Sequence, residues 1–176
     1  MSLSTYLYNR QCRKQNRQPV YRQYDDIHSI FIVFESDYLE RHTQIKQFIK
    51  ELQHQGKEVT AWGYVDKKDP LTLVIRDFRV LGKRQFGLFH RPKKQVVEEI
   101  SRGHYDLLID LNTDPECLEL RYMSLYVQAD LKTGLACYDE PFQHDMLISL
   151  PEDEKDTAHL FDQILHFLKV IKEGER

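Results

Sequence analysis

Apolar positions along the chain alternate between short continuous runs and helical stripes. Ser29 to Phe34 is a run rich in β-branched and aromatic residues, the mark of a strand buried on both faces. Asp37 and Glu40 then give a helix-start signal, and Ile45, Phe48, Ile49 and Leu52 follow at helical spacing. Gly56 stands where a C-terminal cap belongs, and Val59 to Val65 reads as a second strand. A strand, a helix and a strand in so short a stretch predict a βαβ unit.

The pattern continues less evenly. Leu73 to Leu81 reads as one strand with an inserted bend, and Gly82 and Gly87 mark loops. Pro92 suits the first turn of a helix carrying Val96, Val97 and Ile100, which Gly103 stops. Tyr105 to Leu111 is the clearest buried strand after the first. Pro115 opens a helix with Leu118, Leu120, Tyr122, Met123, Leu125 and Tyr126, apolar on more than one face and so deeply packed. Leu131 to Ala136 and Asp145 to Leu150 read as short strands, and a last helix spans 154–173. Residues 2–17 form a polar helix with a small patch of Leu3, Tyr6 and Leu7, which must dock or fray, and Pro19 ends it. The expected fold is α/β: a single Rossmann-like three-layer domain over 25–176 with a mostly parallel sheet. A basic N-terminal helical appendage, 1–24, precedes it.

Composition supports a packed core. Apolar residues are 41% of the 176, with ten Tyr, nine Phe and one Trp. A chain this long buries roughly two-thirds of its unfolded surface, which excludes disorder throughout. No apolar run approaches the ~18 residues of a membrane span. Met1 to Tyr8 is too short for a signal peptide, and Ser2 excludes myristoylation. Three cysteines, Cys12, Cys117 and Cys137, without a CxxC pair, read as reduced thiols in a cytoplasm.

Charge is layered. The formal net charge is -3, yet residues 1–24 carry Arg10, Arg13, Lys14, Arg17 and Arg22 and no acid. A second basic stretch holds Lys83, Arg84, His90, Arg91, Lys93 and Lys94 around Phe86 and Phe89. The C-terminal part is acidic. Basic residues interleaved with aromatics suit phosphates or the stacked bases of a single-stranded nucleic acid, and a protein partner could engage the same basic segments. Arg10, Arg13, Lys14, Arg17, Lys83, Arg84, His90, Arg91 and Lys93 are the candidates for that role.

In open α/β sheets, ligands bind outside the carboxyl ends of the strands. The residues there are Glu35, Ser36 and Asp37, then Asp66, Lys67 and Lys68, then Asn112, Thr113 and Asp114. The first loop lacks the G-x-G-x-x-G turn and places acids where a phosphate needs bare amides, which disfavours a nucleotide. Ser36 or Asp37 is expected to cap the following helix. Asp110, inside an apolar strand, must be paired or hydrogen-bonded, either tying a neighbouring loop or orienting a ligand. Glu35, Ser36, Asp37, Asp110, Asn112 and Asp114 are thus the ligand candidates. The eight histidines show no metal spacing, and neither a G-x-S-x-G elbow nor a Walker loop occurs. No metal and no cofactor is expected.

Two resemblances follow. Tyr105, Asp106, Leu107, Ile109, Asp110, Leu111, Ala129 and Gly134 resemble a segment in the N-terminal half of heptosyltransferase-like, B-type glycosyltransferases. That likeness implies glycosyltransferase-like ancestry and assigns no catalytic residue. The wider layout resembles a family of small, uncharacterised bacterial proteins classed as a domain of unknown function. Arg17-Gln18-Pro19-Val20, Lys57, Val59-Thr60-Ala61, Gly63-Tyr64-Val65, Pro92-Lys93 and Asp106 to Leu111 carry it. It implies a cytoplasmic Rossmann-like protein and no activity. A complete core pattern without a catalytic motif points to a non-catalytic binding or interaction module. A protein partner is favoured over a small ligand or enzyme substrate at the strand ends, and nucleic acid or an anionic membrane ranks last.

Overall fold

The run from Ser29 becomes β1 (Ser29–Glu35), the centre of a six-stranded sheet in the computed structural model. The structure describes residues 2–36, 39–67, 77–136 and 143–171. Asp37, Lys68, Cys137, the first part of the Leu73 strand and the end of the last helix lie outside them. The other strands are β2 (Glu58–Tyr64), β3 (Arg79–Leu81), β4 (His104–Asp110), β5 (Gln128–Leu135) and β6 (Met146–Ile148). Their order is β3-β2-β1-β4-β5-β6, and every neighbouring pair is parallel. In register, Ile32 sits between Ala61 of β2 and Ile109 of β4.

The helices are α1 (Leu3–Cys12), α2 (Leu39–His54), α3 (Lys94–Ile100), α4 (Leu118–Tyr126) and α5 (Thr157–Val170). The chain runs outward from β1 to β3, returns to β4 beside β1, then runs outward the other way. Crossovers of one hand therefore place α2 and α4 on opposite faces. On one face Ile45, Ile49 and Leu52 of α2 and Leu160, Phe161 and Ile164 of α5 pack on Ile30, Ile32, Leu107 and Ile109. Phe48 stacks on Phe161 with ring centroids 4.0 Å apart. On the other face Val96 and Ile100 of α3 and Leu120 and Met123 of α4 cover Phe31, Val33 and Leu108.

Outside α4 lies α1. Tyr8 meets Tyr122 edge to face at 5.1 Å, and Tyr8, Cys12, Leu118 and Leu125 form a third apolar cluster. The apolar patch read from the sequence as Leu3, Tyr6 and Leu7 is not the buried one, because Leu3 and Tyr6 stay exposed.

Several boundaries differ from the sequence pattern. The first helix ends at Cys12, not near residue 17, because the next residues run along β5. Val20 N–H donates to Asp130 O at 3.0 Å, and Arg17 donates to Asp130 O at 2.9 Å and pairs with Asp145. Such charge-assisted bonds outweigh one more turn of exposed helix. The cap residue of α3 is Lys93, so Pro92 stands before the first turn and not in it, and α4 opens at Leu118 after a polar turn from Pro115. The last helix starts at Thr157, where the Asp156 carboxylate accepts from Ala158 and His159 N–H at 2.8 and 2.9 Å.

Candidate functional site

The sheet's switch point lies between β1 and β4, where the two outward runs diverge. Beside it, on the α3/α4 side, opens a cavity of about 320 Å³. Glu35 from the end of β1, Tyr64 and Asp66 from the end of β2, and Asp114 from the loop after β4 line it. Lys83, His90, Cys117 and Glu119 complete the lining. The three strand-end loops picked out by topology thus converge, and two members of the basic stretch join them.

Local chemistry sets these side chains. A Cβ at Gly63 would come within 2.7 Å of the Phe34 ring, so only glycine lets the end of β2 lie this close to β1. Ser36 N–H donates to Tyr64 O at 2.8 Å, and its hydroxyl contacts His42 Nε2 at 2.5 Å. Ser36 therefore ties the strand ends and does not line the cavity. Beyond β4 the polar residues form a chain of Asx turns. Asp110 accepts from Asn112 N–H at 3.0 Å, Asn112 from Asp114 N–H at 3.0 Å, and Asp114 from Glu116 N–H at 2.9 Å. These turns bring the chain to α4 and deliver Asp114 to the cavity.

Asp110 itself turns away. Its other oxygen pairs with His144 Nε2 at 3.0 Å, and the two side chains are 3% and 11% exposed. Gly134 makes room, since a Cβ there would stand 2.9 Å from the imidazole. The pair ties the approach to β6 onto β4.

The most buried carboxylate of the lining is Glu119, only 12% exposed. Its Oε1 accepts from Tyr64 O–H at 3.0 Å and pairs with His90 Nδ1 at 2.7 Å. Burial, and then the Glu119 charge, hold the Tyr64 hydroxyl above its ordinary range, so it stays a donor. Burial pushes the Cys117 thiol up to about 12, with Glu119, Asp114 and Glu35 adding to the rise against a Leu120 amide. Cys117 is therefore a neutral thiol and a poor nucleophile. Glu35 pairs with Arg41 at 2.5 Å, and Lys83 with Asp66 at 2.7 Å in the open. The lining presents acceptors in excess of donors. Among the described residues no group of three His, Cys, Asp or Glu side chains gathers to hold a metal ion.

Tyr64, Cys117 and Glu119 were not among the sequence candidates. One signal existed for Glu119: an acid between Leu118 and Leu120 in a helix apolar on several faces. Of the basic candidates, Arg17 is engaged with β5, while Arg10, Arg13, Lys14, Arg84, Arg91 and Lys93 are exposed. The two basic segments meet, because α1 lies against the turn at 88–90.

One family model, described as "Family of unknown function (DUF6913)", matches residues 2–171. No curated protein and no solved structure matches the chain. No helix among the described residues is long and apolar enough to cross a membrane.

Proposed function

We propose that the chain, which belongs to this family of unknown function, is a non-catalytic binding module that holds a small, donor-rich ligand at its strand ends. The observation that carries this reading is the cavity beside the switch point, where Glu35, Asp66, Asp114 and Glu119 converge from four separate segments. Carboxylates accept hydrogen bonds from hydroxyl and amino groups and repel phosphate. The ligand is therefore a neutral or cationic polyol, sugar or amine, not a nucleotide. Tyr64 and His90 hold Glu119 in place for it, and the weak exposed pair of Lys83 and Asp66 exchanges readily.

The protonated Cys117 thiol supports binding without covalent chemistry. None of the residues that carry the glycosyltransferase likeness lines the cavity, so group transfer is no part of the reading. We place the protein in the cytoplasm, where a sparse set of three cysteines without a CxxC pair stays reduced.

Thermal unfolding against a panel of polyols, sugars, amines, nucleotides and phosphates tests the reading. A ligand at 100 times its Kd adds about 2.7 kcal/mol, which for a domain of this size raises Tm by roughly 5–10 °C. The expected result is a shift with a hydroxyl- or amine-rich compound that Glu119→Gln abolishes. A shift with nucleotides or phosphates, or none with any compound, sinks it.

A further inference from the structure

The turn after Phe86 is built against ordinary backbone preference. Phe89 and His90 both have positive φ, 60° and 63°, a conformation that bulky L-residues avoid. The surroundings hold it there. Gly87 N–H donates to Arg91 O at 2.8 Å and Lys93 N–H to Gln85 O at 2.9 Å, closing a tight loop. Phe86 is buried against Tyr64, and His90 is anchored on Glu119. What this strained frame presents is apolar: Leu88 is 83% exposed and Phe89 40%. An exposed leucine gains nothing from packing in the free chain, so strain that displays it points to a role in binding.

The rim is basic. Arg91 and Lys93 stand exposed on the loop, and α1, which lies against the turn, carries the exposed Arg10. The surface is not uniformly cationic, however. Asp66 pairs with Lys83, Glu98 with Lys94 and Glu99 with Arg79. A lipid headgroup layer or a nucleic-acid backbone is evenly anionic and meets those acids as well, whereas a polypeptide can set its acids opposite Arg91 and Lys93 alone.

We propose that the 85–93 loop, together with α1, docks an acidic polypeptide segment whose apolar side chains enclose Leu88 and Phe89. The preformed loop carries the anchor, and the basic rim sets orientation and salt dependence. This surface is separate from ligand uptake by the cavity, although His90 touches both.

A displayed library of short random peptides, selected on the full chain, tests it. The expected peptides combine several Asp or Glu with a large apolar residue. Synthetic versions should lose about tenfold in affinity, or more, on Leu88→Ser and again on Arg91→Glu. Both variants should unfold at the parent midpoint, because both side chains are exposed. Peptides without that signature, no selected peptide at all, or affinity unchanged by both substitutions overturns the proposal. So does Leu88-dependent binding of phosphatidylserine-containing vesicles or a single-stranded oligonucleotide in the peptides' place. The cavity reading stands or falls on the Glu119→Gln ligand panel, which neither substitution touches.

Discussion

Lys132 shows how one residue links burial, protonation and stability. It sits on β5 under the end of α4, and its Nζ donates to Ser124 O at 2.9 Å and Leu125 O at 3.1 Å. Those carbonyls are among the four left unpaired at a helix C-terminus. A neutral amine has two N–H bonds, enough for both. Burial lowers the Lys132 pKa to about 7, helped by Arg17 and opposed by Asp145 and Asp110. The unfolded chain keeps the ordinary value of 10.5, so it binds more protons than the folded chain between pH 7 and 10.5. Stability therefore rises with pH across that window, and below it the folded state carries the full cost of burying the ammonium. With about 1.4 kcal/mol per pKa unit, the rise amounts to a few kcal/mol. Urea unfolding of the parent and Lys132→Met across this range should show the slope in the parent and a flatter profile in the variant. Equal slopes would mean that Lys132 titrates normally.

Among the elements, the 85–93 loop is the one where local preference and tertiary structure conflict. Its left-handed residues cost about 1–2 kcal/mol each. Asparagine tolerates that region better than phenylalanine does. Phe89→Asn should accordingly raise the urea midpoint, by about 0.5–1 kcal/mol in free energy, while weakening peptide binding at the tip. A lowered midpoint would show that Phe89 packs more than it strains. Helix α1 presents the complementary case. Its sequence permits a longer helix, yet it stops at Cys12 because Arg17 and Val20 find partners on β5. Gly82, Gly87 and Pro92 marked the loop and apolar spacing marked the helix, but the conformation of the one and the end of the other were settled by neighbours distant in the chain.

At the scale of the molecule, α1 is fastened to the outer side of α4. Tyr8 and Tyr122 are wholly buried, the Arg121 guanidinium lies 4.1 Å from the Tyr8 ring centre, and the Tyr8 hydroxyl donates to Gln143. Removing residues 1–22 strips this cover and the Arg17–Asp145 pair. The expected loss is about 3–5 kcal/mol, the cost of emptying one large aromatic site, and a fall in Tm of roughly 10 °C or more. Circular dichroism on the shortened chain checks this, and an unchanged midpoint would mean that α1 contributes no net stability.

Much of the architecture was legible from residue order. Ser29 to Phe34 and Tyr105 to Leu111 are too apolar to face water on either side, which demanded a sheet covered by helices on both faces. The stripes of α2 and α5 showed where that cover lies. Topology then named the strand ends, and Glu35, Asp66 and Asp114 do meet there. Tertiary structure alone decided the strand order, the turning of Asp110 toward His144, and the gathering of Tyr64, His90 and Glu119. Apolar burial leaves a periodic trace, because each core residue answers to its own element. A polar side chain at a strand end carries no period, and its partner stands wherever the crossovers bring another loop.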